Sequence, residues 1–148
     1  MTHRRLSLLS IGLFAAIALT AQGPADAEAL VKQAFEFAKI HGTYKLIKEV
    51  NSPDGHFRKG ELYIWIVDME GVMLAHGANA KMVGKDSSER QDTDAVHYAQ
   101  EAIKIAETKG NGWFSYKFVN PETKQIQSKE CYVQRLDEVV IACGAYKH

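Results

Sequence analysis

Between residues 26 and 40 the apolar positions Leu30, Val31, Ala34, Phe37 and Ala38 recur at helical spacing, with Asp26 placed as an N-cap. His41-Gly42 interrupts the pattern, and Thr43 can cap a continuation in which Tyr44, Leu46, Ile47 and Val50 carry the apolar face. This reads as one long helix with a break near Gly42, or as two consecutive helices. Asn51-Ser-Pro-Asp-Gly55 stops it. After Gly60 the period changes. The run Leu62-Tyr-Ile-Trp-Ile-Val-Asp68 is β-branched and aromatic, and Met69-Glu-Gly71 turns it into Val72-Met-Leu-Ala-His76, a predicted hairpin. Residues 77–93 are polar and without strong period, so they read as a long loop holding at most a short helical turn, the kind of loop that is usually functional or mobile. A second helix is predicted from Asp94, with Val96, Ala99, Ile103 and Ala106 on one face, ending at Lys109-Gly110. Strands are predicted over residues 113–119, 126–136 and 139–146, joined by Asn120-Pro-Glu-Thr and Leu136-Asp-Glu. Helix, two strands, helix and three antiparallel strands make an α+β domain.

The first residues belong to a different pattern. Arg4-Arg5 precede a run, residues 6–21, that is apolar except for Ser7, Ser10 and Thr20, and Ala21-Gln-Gly-Pro-Ala-Asp-Ala27 follows with small residues at alternate positions. A basic start, a short apolar run and small-x-small sites describe a secretory signal peptide, and the run is shorter than the ~20 residues a spanning helix needs. Cleavage after Ala21, Gly23 or Ala27 fits, so residues 1–27 read as signal and 28–148 as one domain, periplasmic or secreted. The length of 148 residues suits a single domain with its own core.

Charge and composition then remove whole classes. Lys+Arg and Asp+Glu number 18 each, and loss of Arg4, Arg5 and Asp26 with the signal leaves a net charge of −1. A nucleic-acid partner is not expected, because phosphate contacts need a surplus of basic residues. The histidines show no H-E-x-x-H or paired spacing, so no metal is expected, and neither a P-loop nor G-x-S-x-G occurs. Gly110-x-Gly112 precedes a strand rather than a helix, the wrong context for a dinucleotide. Asp68 and Glu70 beside Gly71 read as solvated turn formers. With no activated nucleophile or acid–base pair to name, an enzyme is not expected, and no cofactor is implied.

Export places Cys131 and Cys143 in an oxidising compartment. A hairpin centred on Asp137 sets them directly opposite each other on one face, which makes a cross-strand disulfide geometrically accessible. A one-residue shift of the turn leaves two buried thiols on opposite faces instead.

The strands also carry a polar-aromatic set: Tyr63, Trp65, His76, Trp113, Tyr116, Lys129 and Tyr132. Small-molecule pockets are apolar walls with a few convergent polar groups, and Trp and Tyr supply both. Singly, each aromatic reads as core and Lys129 as a solvated strand lysine.

Gly60-Glu-Leu-Tyr-Ile-Trp-Ile-Val-Asp-Met-Glu-Gly-Val-Met-Leu-Ala-His-Gly-Ala-Asn79, Met82-Val-Gly-Lys85, Lys109-Gly-Asn-Gly-Trp-Phe-Ser-Tyr116, Asn120-Pro-Glu-Thr-Lys124, Lys129-x-x-Tyr132 and Gly144-Ala-Tyr-Lys147 follow one another in an order that resembles the single Cache domains. The resemblance runs over residues 28–147. It implies a PAS-like domain: a long N-terminal helix packed on a central antiparallel sheet of about five strands, with a second helix between the second and third. It further implies an extracytoplasmic sensor whose small-molecule ligand, such as an organic acid, binds between the sheet and the loop-helix segment. By position it places Trp65, His76, Trp113, Tyr116, Lys129 and Tyr132 around that pocket, with Lys129 as anion partner and His76 and the tyrosines as donors. Two departures follow. Asp92-Thr-Asp-Ala95 stands where relatives commonly carry Asp-x-x-Gly, so a tight glycine-dependent loop is expected to relax. The chain also ends at His148, two residues after the last predicted strand, so it is expected to act with a membrane receptor, kinase or transport partner. The alternative is a protein–protein interaction module with a vestigial pocket. A homodimer through the N-terminal helix is a further expectation.

Overall fold

The computed structural model describes residues 22–148. The expected signal segment lies outside the described residues over 1–21. Its last residues do not: Pro24 already opens helix α1 (Pro24–His41), and Ala27 is fully buried. Asp26 is therefore not the N-cap. Gly23 takes that position, Pro24 fits the first turn because its missing N–H has no helical partner there, and the Asp26 carboxylate accepts the Gly23 N–H at 2.8 Å. The buried stripe Ala27, Leu30, Val31, Ala34 and Ala38 keeps the expected spacing. Gly42 adopts φ +92°, which a side chain would resist, donates its N–H to Ala38 O at 2.8 Å and redirects the chain into α2 (Thr43–Asn51). The break near Gly42 is thus real, and it separates two helices.

A two-residue hairpin, β1 (Arg58–Lys59) with β2 (Leu62–Tyr63), precedes the main sheet. The sheet then forms from β3 (Trp65–Asp68), β4 (Met73–His76), β5 (Asn111–Val119), β6 (Ile126–Leu136) and β7 (Val139–Tyr146), in the antiparallel order β4-β3-β7-β6-β5. The last strand in sequence is therefore the central one. All eight of its residues are buried, as expected of a strand covered on both faces.

One face packs on α1 and α2 through Ile64, Ile66, Ile141, Cys143 and Tyr132. The other face carries Tyr63, Trp65, Tyr116, Cys131 and Tyr146 beneath Met82 and the helix α3 (Tyr98–Lys109). No described helix is long and apolar enough to cross a membrane.

The β6–β7 turn decides the cysteines. Its centre falls between Asp137 and Glu138, with Leu136 opposite Val139, so Cys131 faces Gly144 and Cys143 faces Tyr132. Side chains alternate along a strand, and the two thiols therefore occupy opposite faces of the sheet. The disulfide expected from a turn centred on Asp137 does not form, and both cysteines are free and buried. Burial pushes the Cys131 thiol up and the Cys143 thiol up to about 12, which makes both unreactive at neutral pH.

The segment between β4 and α3 is more ordered than its polarity suggests. The expected short helical turn is a 3-10 turn (Ala80–Met82), and beyond it the segment closes on a tight loop around Asp92. Asp92 Oδ1 accepts the N–H groups of Asp94 (2.8 Å) and Val96 (2.9 Å), while Oδ2 accepts the Lys117 N–H on the edge strand β5 at 2.7 Å. This loop displaces the start of α3 from the expected Asp94 to Tyr98. It also corrects the expectation of a relaxed loop: Ala95 takes φ +61°, the left-handed conformation that glycine favours, because the Asp92 bonds hold it there. Relieving that strain outweighs the lost entropy of a glycine. Ala95→Gly should therefore raise stability by about 0.5–1 kcal/mol. Thermal melts read by circular dichroism check this, and an unchanged or lower Tm would contradict it.

Candidate functional site

Strand alternation sorts the six residues placed around a pocket into two groups. Trp65, His76, Tyr116 and Lys129 come together on the α3 face of the sheet. Trp113 and Tyr132 do not join them. They pair across β5 and β6 on the α1 face, with ring centroids 5.1 Å apart, and Trp113 is 40% exposed. The correction follows from period two: Lys129 and Tyr132 are three apart on one strand, and so point to opposite sides.

Lys129 organises the α3 face. It is fully buried, an unusual place for an ammonium group, whose removal from water costs several kcal/mol. Its Nζ donates to the Tyr63 hydroxyl at 3.2 Å and lies over four rings: Tyr63 at 4.5 Å, Tyr146 at 4.7 Å, Tyr116 at 5.3 Å and Phe118 at 5.8 Å from the centroids. Cation–π attraction, stronger when desolvated, offsets part of the burial cost. Among the described residues no carboxylate forms an ion pair with it. Only one of its three N–H donors is engaged by Tyr63.

The hydroxyls form a directed chain. Tyr146 donates to Val119 O at 2.8 Å, so in the 3.1 Å pair between the two phenols it is Tyr63 that donates. Lys129, Tyr63, Tyr146 and the β5 carbonyl are thereby polarised in one direction, an arrangement in which each bond strengthens the next. Burial raises the pKa values of Tyr63, Tyr116 and Tyr146, and all three remain neutral phenols at physiological pH.

His76 lies opposite Trp65 across β3 and β4 and packs its ring 4.9 Å from that of Tyr63. Its Nδ1 accepts the N–H groups of Ala78 (3.2 Å) and Asn79 (2.9 Å), which assigns the proton of the neutral ring to Nε2. Burial, together with repulsion from the Lys129 ammonium, lowers its pKa to about 3. His76 is therefore a neutral hydrogen-bond donor, and Lys129 is the positive charge. Trp65 adds a further polar group, since its buried Nε1 finds no acceptor among the described residues. Its indole meets Tyr98 and Tyr116 edge-on, and those two rings stack at 5.1 Å.

Tyr98, Tyr146 and Phe118 complete this face. Phe118 also lines an outer cavity of about 340 Å³ between the Asp92 loop and the ends of β5 and β6. Tyr146 sits directly opposite Lys129, a placement that only the β6–β7 register reveals. Among the described residues, no group of His, Cys, Asp or Glu side chains is arranged to hold a metal ion.

Helices on both faces of a five-stranded antiparallel sheet, with a buried polar-aromatic cluster under the loop-helix layer, make an α+β fold. The family model for single Cache domain 2 matches residues 25–148, and the chain belongs to that family. Its fold is similar to a Cache chemosensory domain whose structure describes the basis of carboxylic acid recognition, with TM-score 0.70 and 23% identity over 84% of this chain and 92% of that one. It is also similar to a periplasmic sensor domain of a chemotaxis protein, with TM-score 0.67 and 21% identity over 84% and 90% of the two chains. A methyl-accepting chemotaxis protein from Vibrio parahaemolyticus gives TM-score 0.71 at 17% identity, over 82% and 86%. In sequence, 72 residues are 29% identical to the methyl-accepting chemotaxis protein McpP of Pseudomonas putida; they make up 49% of this chain and 13% of that protein.

Proposed function

We propose that this chain is an exported sensor domain that binds a small carboxylate on the α3 face of its sheet and acts with a membrane signalling or transport partner. The observation that carries the reading is Lys129: a fully buried ammonium, caged by aromatic rings, with no carboxylate paired to it among the described residues. A ligand carboxylate supplies the missing charge, and the low dielectric of the cage makes that pairing stronger than it would be at the surface. In this reading the Nε2–H of His76 and the Nε1–H of Trp65 donate to the ligand's oxygens, and the rings of Tyr63, Tyr116 and Phe118 cover its short apolar body. Trp113 and Tyr132 serve the α1 interface instead. The carboxylic acid recognition described for the structurally similar Cache domain supports the same ligand class. Export through the N-terminal segment would put the domain where such metabolites arrive from outside.

A ligand that binds only the folded state raises Tm by mass action, by about 2.7 kcal/mol of stability at a hundredfold excess over Kd. Protein refolded to strip any carried ligand, screened by thermal shift against two- to four-carbon carboxylates, should show a rise in Tm with at least one of them. A folded protein that none of the acids stabilises would count against a carboxylate pocket.

A further inference from the structure

Gly144 stands in the interior of the central strand, where a glycine weakens a sheet because it brings conformational entropy and no side chain. Its backbone does not demand a glycine, since it is absent from the residues with positive φ. The reason lies on the neighbouring strand. A Cβ added at Gly144 would collide with Cε of Lys129 and come within 3.3 Å of its Cδ and of the Glu130 carbonyl oxygen. Lys129 belongs to β6, whereas Tyr63, which its ammonium meets at 3.2 Å, precedes β3 on the far side of β7. To reach across, the lysine stem must lie flat over β7, and it crosses at Gly144.

We propose that Gly144 is the positioning residue of the anion site: its missing side chain forms the notch across β7 that seats the Lys129 stem and fixes the ammonium among the four rings. The inference rests on Lys129 as the anion partner. Any side chain at residue 144 lifts the stem off the strand and moves the ammonium out of its seat among the four rings. The carboxylate would then meet a misplaced charge rather than an absent one.

The test is a thermal double-mutant cycle made of Gly144→Ala, Lys129→Ala and both together. Gly144→Ala should lower Tm in the chain that keeps Lys129, and the loss should vanish or nearly vanish when Lys129 is also alanine, because the colliding atoms are gone. If Gly144→Ala alone fails to fold, the double variant should fold. An equal loss in both backgrounds, or failure of the double variant as well, would assign Gly144 to a backbone role and overturn the proposal. A spectroscopic signature accompanies the cycle. The ε-methylene protons of Lys129, held among rings, should be ring-current shifted in the parent protein, and Gly144→Ala should move them toward ordinary lysine positions; unmoved resonances would contradict the notch. Propionate affinity, measured by titration, should fall by roughly tenfold or more in Gly144→Ala. Should Lys129→Ala leave propionate affinity unchanged, the anion reading itself would fail, an outcome separate from that of the ligand-free thermal cycle.

Discussion

Lys129→Met should lose at least about a hundredfold in affinity for a carboxylate ligand while making the ligand-free protein more stable. The two effects share one cause. The buried ammonium is paired with no carboxylate among the described residues, so in the absence of ligand its desolvation is offset only by the Tyr63 hydroxyl and the surrounding rings. Methionine keeps the unbranched stem, fills the same space above β7 and removes the charge. Removing a lone buried charge recovers a desolvation cost of several kcal/mol, only part of which the rings and one hydroxyl offset, whereas removing one member of a buried charge pair costs about 2–5 kcal/mol. Denaturation with and without propionate separates the two. Lys124→Ala is the matching control: an exposed lysine in the turn before β6, whose loss should alter neither quantity. Equal effects of the two substitutions on binding would remove Lys129 from the anion role, and a destabilised Lys129→Met would show that the ammonium is a structural asset of the ligand-free fold.

The second large effect is on pH. The folded pKa of His76 is lowered to about 3 by burial and by the Lys129 charge, against an ordinary value near 6.5. Between those values the unfolded chain takes up a proton that the folded chain refuses, so stability is complete above pH 6.5 and falls as the pH drops. The loss should reach about 2 kcal/mol by pH 5 relative to pH 7.5. Protonation would break the bonds from Ala78 and Asn79 and set a second positive charge beside Lys129. Urea denaturation across this range measures the slope. His76→Asn keeps an acceptor for those N–H groups but cannot titrate, and should flatten the curve. Asp92 titrates in another window: partial burial pushes its pKa up, but the N–H groups of Lys117, Val96 and Asp94 outweigh this and hold it below the usual value, so its contribution is lost only in stronger acid. A bound carboxylate should also reduce the His76 slope, because a negative charge beside the ring eases its protonation. A slope that persists unchanged in His76→Asn would contradict this assignment.

Local pattern carried most of the element order. The apolar stripe of α1, the interruption at Gly42 and the three C-terminal strands are all visible as periodicities, because each depends on neighbours within a few residues. Lys129, His76, Trp65 and Tyr116 could be named for the same reason: chemically distinctive side chains on predicted strands. Pairing could not be read in this way. A shift of half a residue in the centre of one turn moved Cys131 and Cys143 to opposite faces and set Tyr146 against Lys129. That register is fixed by packing on both sides of β7 and leaves no local trace. Trp113 and Tyr132 were a different case. Their odd spacing from Tyr116 and Lys129 already placed them on the other face, and strand parity alone would have excluded them from the cluster. Ala95 shows tertiary context overriding preference, since the Asp92 carboxylate holds a non-glycine residue in a glycine conformation.

If the buried Lys129 charge, unpaired among the described residues, selects the ligand, an acid and its isosteric amide must differ in binding. Calorimetric titration of the ligand-stripped protein at pH 7.5 with propionate and, in parallel, with propionamide isolates charge, because the two molecules match in size and shape. Saturable binding of propionate with no measurable binding of the amide is the predicted result. Equal binding of the two, or binding of neither by folded protein, would contradict it.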